Sequence, residues 1–181
     1  MNDITWGRDA EQWPRDYTLF SRRLQFLRFN SVPVRIFSQN GISLTCYIAK
    51  FNVNEKAIYV SDIPRGKDRI RLELQNIATL EELPDRNKNT MTLLNGEAFN
   101  KRVAVASKKD FFSICNKCFK QGVEIRVYMM DSRIIEGKTT GVNACQTGVI
   151  KANGNHVQVL FDWVIRITSV DFFPEPENLL K

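Results

Sequence analysis

Six basic residues, Arg22, Arg23, Arg28, Arg65, Lys67 and Arg69, have the type and grouping that suit one chemistry, the binding of phosphate. A guanidinium meets a phosphate through two parallel hydrogen bonds, so closely spaced arginines favour a polyanionic partner. Other chemistries find less support. Cys115-Asn116-Lys117-Cys118 supplies two sulfurs where a structural zinc needs four ligands, and no second such pair or histidine pair follows. Cys46, Cys145 and the single histidine, His156, lie far away in sequence. Both cysteines of the pair fall on an apolar helical stripe, where a thiol packs as a small hydrophobe. One histidine, no glycine-rich phosphate loop and no Gly-x-Ser-x-Gly leave no recognisable catalytic apparatus, so no enzyme, metal or cofactor is expected.

The elements that must position these residues are short. Tyr17, Phe20, Leu24 and Leu27 recur at helical spacing, which predicts a helix over about 16–29 with Arg22, Arg23 and Arg28 off its apolar stripe. Alternating apolar residues then predict strands near 32–37, 42–51, 57–61, 70–74 and 77–80. Asn40-Gly41 suits a two-residue hairpin turn. Arg65, Lys67 and Arg69 fall in a loop marked by Pro64 and Gly66. The order then repeats. Phe111, Ile114, Cys115, Cys118 and Phe119 make a second helix ended by Gly122, and strands follow near 123–129, 133–142, 148–152, 156–161 and 164–170. Phe20/Phe111, Val32/Val123, Arg35/Arg126 and Asn52/Asn143 are identical at an offset of 91 residues. The expected fold is mainly β with two short helices (α+β), as two tandem modules. Their limits are 15–83 and 107–171, with a polar linker between.

The chain of 181 residues carries 26 Lys and Arg against 20 Asp and Glu, a net charge of +6. That balance favours sequence-independent attraction to a nucleic acid. No apolar run reaches the roughly 18 residues of a membrane helix, so no membrane partner is expected. Four cysteines without a dense framework, and no apolar signal core over 1–14, point to a reducing cytoplasm.

The run from Val32 to Phe51, Val-Pro-Val-x-Ile-Phe-x-x-Asn-Gly-Ile-x-Leu-x-x-x-Ile-x-x-Phe, resembles the first Sm motif of the bacterial RNA chaperone Hfq. The resemblance implies that each module is an Sm-like small β-barrel, a helix followed by a five-stranded, strongly bent antiparallel sheet. It implies single-stranded RNA as partner, with Phe37, Asn40, Gly41, Ile42 and Leu44 forming base pockets and Gln75 near a second site. DNA is equally compatible with the charge. It also implies a homo-oligomer, with three chains imitating a six-module ring. Departures are plain: Thr45 stands where a Gln reads the base, and Asn52-Val53-Asn54 and Leu74-Gln75-Asn76-Ile77 depart from the family's uridine pocket. The expected function is therefore non-catalytic RNA binding. A competing resemblance, to PilZ receptors for cyclic di-GMP, rests on Arg22-Arg23 and Arg28 ahead of Asn52-Val53-Asn54-Glu55-Lys56-Ala57, and on Asn143-Ala144-Cys145-Gln146-Thr147-Gly148. A third alternative is an interaction adaptor that binds no RNA.

Overall fold

The computed structural model describes residues 8–9, 17–38, 42–83, 99 and 109–170. Helix α1 (Thr18–Phe29) precedes strands β2 (Pro33–Ser38), β3 (Ser43–Asn52), β4 (Ala57–Ser61), β5 (Ile70–Glu73) and β6 (Ile77–Glu82). Helix α2 (Phe112–Gln121) precedes β8 (Glu124–Met129), β9 (Ile134–Val142), β10 (Gln146–Ile150), β11 (His156–Leu160) and β12 (Val164–Ser169). A two-residue strand stands ahead of each helix, β1 (Arg8–Asp9) and β7 (Lys109–Asp110), and the two pair with each other. Asn40, Gly41 and most of the expected linker lie outside the described residues.

The ten strands β2–β6 and β8–β12 form one open antiparallel sheet, in the order β12-β8-β9-β10-β11-β6-β2-β3-β4-β5. This corrects the expectation of two tandem Sm-like barrels. A closed barrel would return each set of five strands onto itself. Here the ladder runs straight across from one set to the other, through β11 paired with β6. Register shifts at Ile48/Lys50, Phe37/Ser38, Gly148/Val149 and Val164/Arg166 bend the sheet without closing it.

The β6·β11 seam explains where the core sits. Directly opposed residues of an antiparallel pair share a face. Val157 and Val159 oppose Glu81 and Thr79, while Gln158 opposes Leu80. Leu80 and Leu160 belong to one apolar cluster, with Phe20, Leu24, Leu27 and Ile36. Val157 and Val159 belong to the other, with Phe111, Cys115, Cys118 and Ile125. The sheet therefore carries one cluster on each of its two faces, and the changeover happens at the seam. Residues there are covered on both sides. That is why Thr79, Glu81 and Gln158 are buried although they are polar.

Local chemistry sets the ends of the elements. Gly122 ends α2 in the left-handed region at φ 67°, and the amides of Gly122 and Val123 donate to Phe119 and Cys118. Among the described residues no helix is long and apolar enough to cross a membrane.

Candidate functional site

The expected phosphate ligands are spread over separate elements. Arg22 and Arg28 are exposed on α1, which packs on β3. Arg23 is committed within the chain: its guanidinium forms a two-pronged ion pair with Glu82 and lies 4.6 Å from the Phe26 ring centroid. Arg65, Lys67 and Arg69 are exposed on the loop between β4 and β5. Arg69 also donates from Nε to the Gly66 carbonyl of the same loop at 2.9 Å.

The apolar residues expected to stack bases are used for packing. Leu44 is fully buried, and Ile42 is packed against the same cluster. Phe37 is half-buried beneath the Arg133 guanidinium, 3.8 Å from the ring centroid. The Gln75 side chain donates to Glu73 at 2.7 Å, and the Gln75 backbone carbonyl accepts the Trp163 indole N–H at 3.2 Å. That last bond again links the two sets of strands. Asn40 and Gly41 lie outside the described residues.

The residues behind the cyclic di-GMP reading have a local structural role. Asn52 Oδ1 accepts the amides of Asn54 and Glu55, and Asn143 Oδ1 accepts those of Cys145 and Gln146. Each asparagine closes the turn between two strands through its own side chain. Cys115 and Cys118 sit in the second core cluster.

Two groups that the sequence reading missed stand near the open ends of the sheet. Near β5, the cross-strand register places Tyr59 beside Lys50 on one neighbour and Arg71 on the other. Lys50 Nζ is 5.4 Å from the Tyr59 ring centroid, and the Tyr59 hydroxyl donates to Glu55 at 2.6 Å. The hydrogen bond to the Glu55 carboxylate, then desolvation and that carboxylate's charge, hold the Tyr59 phenol above its ordinary range, against an opposing pull from Arg71. Near β12, Tyr128 lies opposite Arg166, whose guanidinium is 4.3 Å from the ring centroid. Arg126, from the same strand, forms an ion pair with Glu136 at 2.6 Å. Desolvation alone would raise the Tyr128 phenol. Hydrogen bonds and positive charge from Arg126 and Arg166 outweigh it, and the net shift is downward. The signal for these groups was strand register, which pairs residues far apart in sequence.

The arrangement offers cation-and-aromatic surfaces at the sheet ends and a tightly bonded seam. At the seam, buried Glu81 accepts from Lys151 Nζ at 3.1 Å and from Asn155 Nδ2 at 2.8 Å. Such surfaces can bind an anion or a π system; they do not form a catalytic constellation.

The model of a family described as repressor of phase-1 flagellin matches residues 3–167. A "Repressor of phase 1 flagellin gene" from Salmonella typhimurium is 54% identical over 172 residues, spanning 95% of this chain and 96% of its own. Proteins of the same description from Salmonella abony and Salmonella abortus-equi are each 53% identical over the same length. No solved structure matches the chain. These matches overturn the assignment to Hfq and the Sm-like proteins, and the RNA-chaperone function inferred from it falls as well. The Val32–Phe51 pattern that suggested it is the alternation of any bent hairpin with an Asn-Gly turn.

Proposed function

Because the chain belongs to the family of repressors of phase-1 flagellin, we propose that it is a non-catalytic regulator that lowers expression of a flagellin gene. The near-full-length match to the Salmonella repressors carries this reading. An excess of six positive charges and the clusters Lys50–Tyr59–Arg71 and Arg126–Tyr128–Arg166 support contact with a phosphate backbone as the physical means.

The test is a cell carrying a flagellin reporter fused either to the promoter alone or to promoter and leader together. Expression of the chain should lower at least one reporter about tenfold or more, a difference of roughly 1.4 kcal/mol in the controlling equilibrium. An unchanged output from both reporters would end the proposal. Gel-shift titrations with the flagellin promoter duplex and its leader transcript then test the phosphate contact. Binding should weaken steeply with salt and weaken further in an Arg126→Ala, Arg166→Ala variant. Repression without any such binding would replace the phosphate contact with a protein partner.

A further inference from the structure

Helix α1, with its N-cap residue Tyr17, carries two stripes of one spacing. Tyr17, Phe20, Leu24 and Leu27 recur at intervals of three, four and three, and so do Leu19, Arg22, Phe26 and Phe29. The second set is the first moved on by two residues, about 200° around a helix, so the two lie on opposite sides. Phe20, Leu24 and Leu27 are buried, and α1 packs on β3. The outward stripe is bare: Leu19 is 38% exposed, Phe26 48% and Phe29 78%. Among the described residues no other element shows three exposed large apolar side chains. A helix that is apolar on both sides ordinarily has a neighbour on both.

The rings of this stripe are held in place. Arg23, fixed by its two-pronged ion pair with Glu82, lies 4.6 Å from the Phe26 ring centroid. Asn30 closes the helix end, its Nδ2 donating to the Phe26 carbonyl at 2.8 Å. A ring already positioned loses little freedom when a partner covers it. Charge then selects the partner. The sequence of α1 has three arginines and no acidic residue. Arg23 is matched by Glu82, whereas Arg22 stands exposed within the stripe, and among the described residues no carboxylate meets it. Covering Arg22 without a counter-charge is costly, so the partner must bring a carboxylate within an apolar stripe of its own.

Other occupants fit less well. A second copy's α1 would add three more arginines and no carboxylate. Three apolar side chains at about 150–250 Å² each also fall below the roughly 800 Å² per partner of a stable dimer. Single-stranded nucleic acid stacks on bare ring faces, and Arg23 already occupies one face of Phe26. A lipid surface would draw Arg22 into its apolar layer along with Phe26 and Phe29. We propose that the outward stripe of α1 docks an amphipathic helix of a partner protein, one with an acidic residue in its apolar seam opposite Arg22. This surface shares no residue with Lys50–Tyr59–Arg71 or Arg126–Tyr128–Arg166.

Fluorescence anisotropy of the full chain with a pair of synthetic helical peptides tests this. One peptide has a leucine seam interrupted by a glutamate, with further glutamates on its flanks; its twin carries lysine for every glutamate. The chain should bind the glutamate peptide about tenfold more tightly than the twin, or better. Phe29→Ala should weaken that binding about tenfold, Phe29→Leu should retain it, and Arg22→Glu should reverse the preference. Both positions are exposed, so these variants should keep the wild-type urea midpoint. If Phe29→Ala fails to fold, Leu19→Ala reads the same stripe. No binding, equal binding of the two peptides, or binding indifferent to Phe29→Ala and Arg22→Glu would overturn the proposal. So would a Phe29→Ala variant that instead loses binding to a uridine oligomer or to phosphatidylglycerol vesicles, or loses self-association in sedimentation.

Discussion

The Arg133 guanidinium lies 3.8 Å from the centroid of the Phe37 ring and donates to Thr79 Oγ1 at 2.9 Å, so one arginine from the β8–β9 turn touches both β2 and β6. Its Nε is held at 2.7 Å by Asp131, whose side chain is almost wholly buried. Arg133 ties the two sets of strands together at a place where water is largely excluded.

A double-mutant cycle on Phe37→Leu and Arg133→Met should give a coupling energy of about 1 kcal/mol in urea unfolding. Arg133→Met alone should cost about 1–3 kcal/mol, because it leaves the buried Asp131 carboxylate without its counter-charge, held only by the backbone amide of residue 133. A single-mutant loss below a few tenths would mean that the contact holds nothing.

Glu81 should behave as a structural residue of the seam. It accepts from Lys151 and Asn155 while 9% exposed, so Glu81→Ala strands two donors and should destabilise by about 1–3 kcal/mol. Lys151→Met should cost less than about 1 kcal/mol, since the Lys151 side chain is a third exposed and solvent screens its charge. Chemical denaturation of both variants checks the ranking.

The two tyrosines should part company in an alkaline titration. As pH rises, Tyr128 should ionise first and Tyr59 later, read from phenolate absorbance with Tyr128→Phe and Tyr59→Phe as references. Arg166→Ala should move Tyr128 upward. For Tyr128 the folded phenol is the stronger acid. Its contribution to stability is therefore present above the ordinary tyrosine range and lost as pH falls through the folded value. The Tyr59 shift has the opposite sign, so its contribution is present below that range and lost as pH rises through its folded value. Coincident titration of the two would contradict the geometry.

Thiol reactivity should follow burial. Cys46, Cys115 and Cys118 are buried, and burial pushes the Cys46 thiol well up, whereas Cys145 is half-buried at a turn. One cysteine should react with a disulfide reagent in the folded chain, and Cys145→Ser should remove that phase. Rapid reaction of two or more would show that the core opens easily.

Leu44→Ala should cost about 2–5 kcal/mol, as expected for emptying a filled core site rather than a ligand pocket. Unchanged stability with altered nucleic-acid affinity would restore the pocket reading.

The elements were legible because their patterns are local. Leu44 and Cys46 alternate with Ser43 and Thr45, and Phe20, Leu24 and Leu27 mark α1, so the strands and helices fall within a few residues of expectation. The architecture was not legible, because it depends on one ladder, β6·β11, between residues far apart. Thr79 and Glu81 are polar residues of a short strand, and nothing nearby in the sequence says that Val159 and Val157 will stand opposite them. The same holds for the surface. Arg22 and Arg28 announce themselves in the sequence, while Tyr128 gains Arg166 only through register. Leu44 shows the converse: a motif suggested a ligand contact, while the side chain lies fully buried in the core.

The swap of core faces at the seam bears on how this protein can be shortened. A fragment ending near residue 83 would present Leu80 on one side and Thr79 and Glu81 on the other with no opposing ladder, and the complementary fragment would bare Val157 and Val159. Neither fragment would leave a finished surface behind. Engineers seeking a minimal version should keep both halves on a single polypeptide.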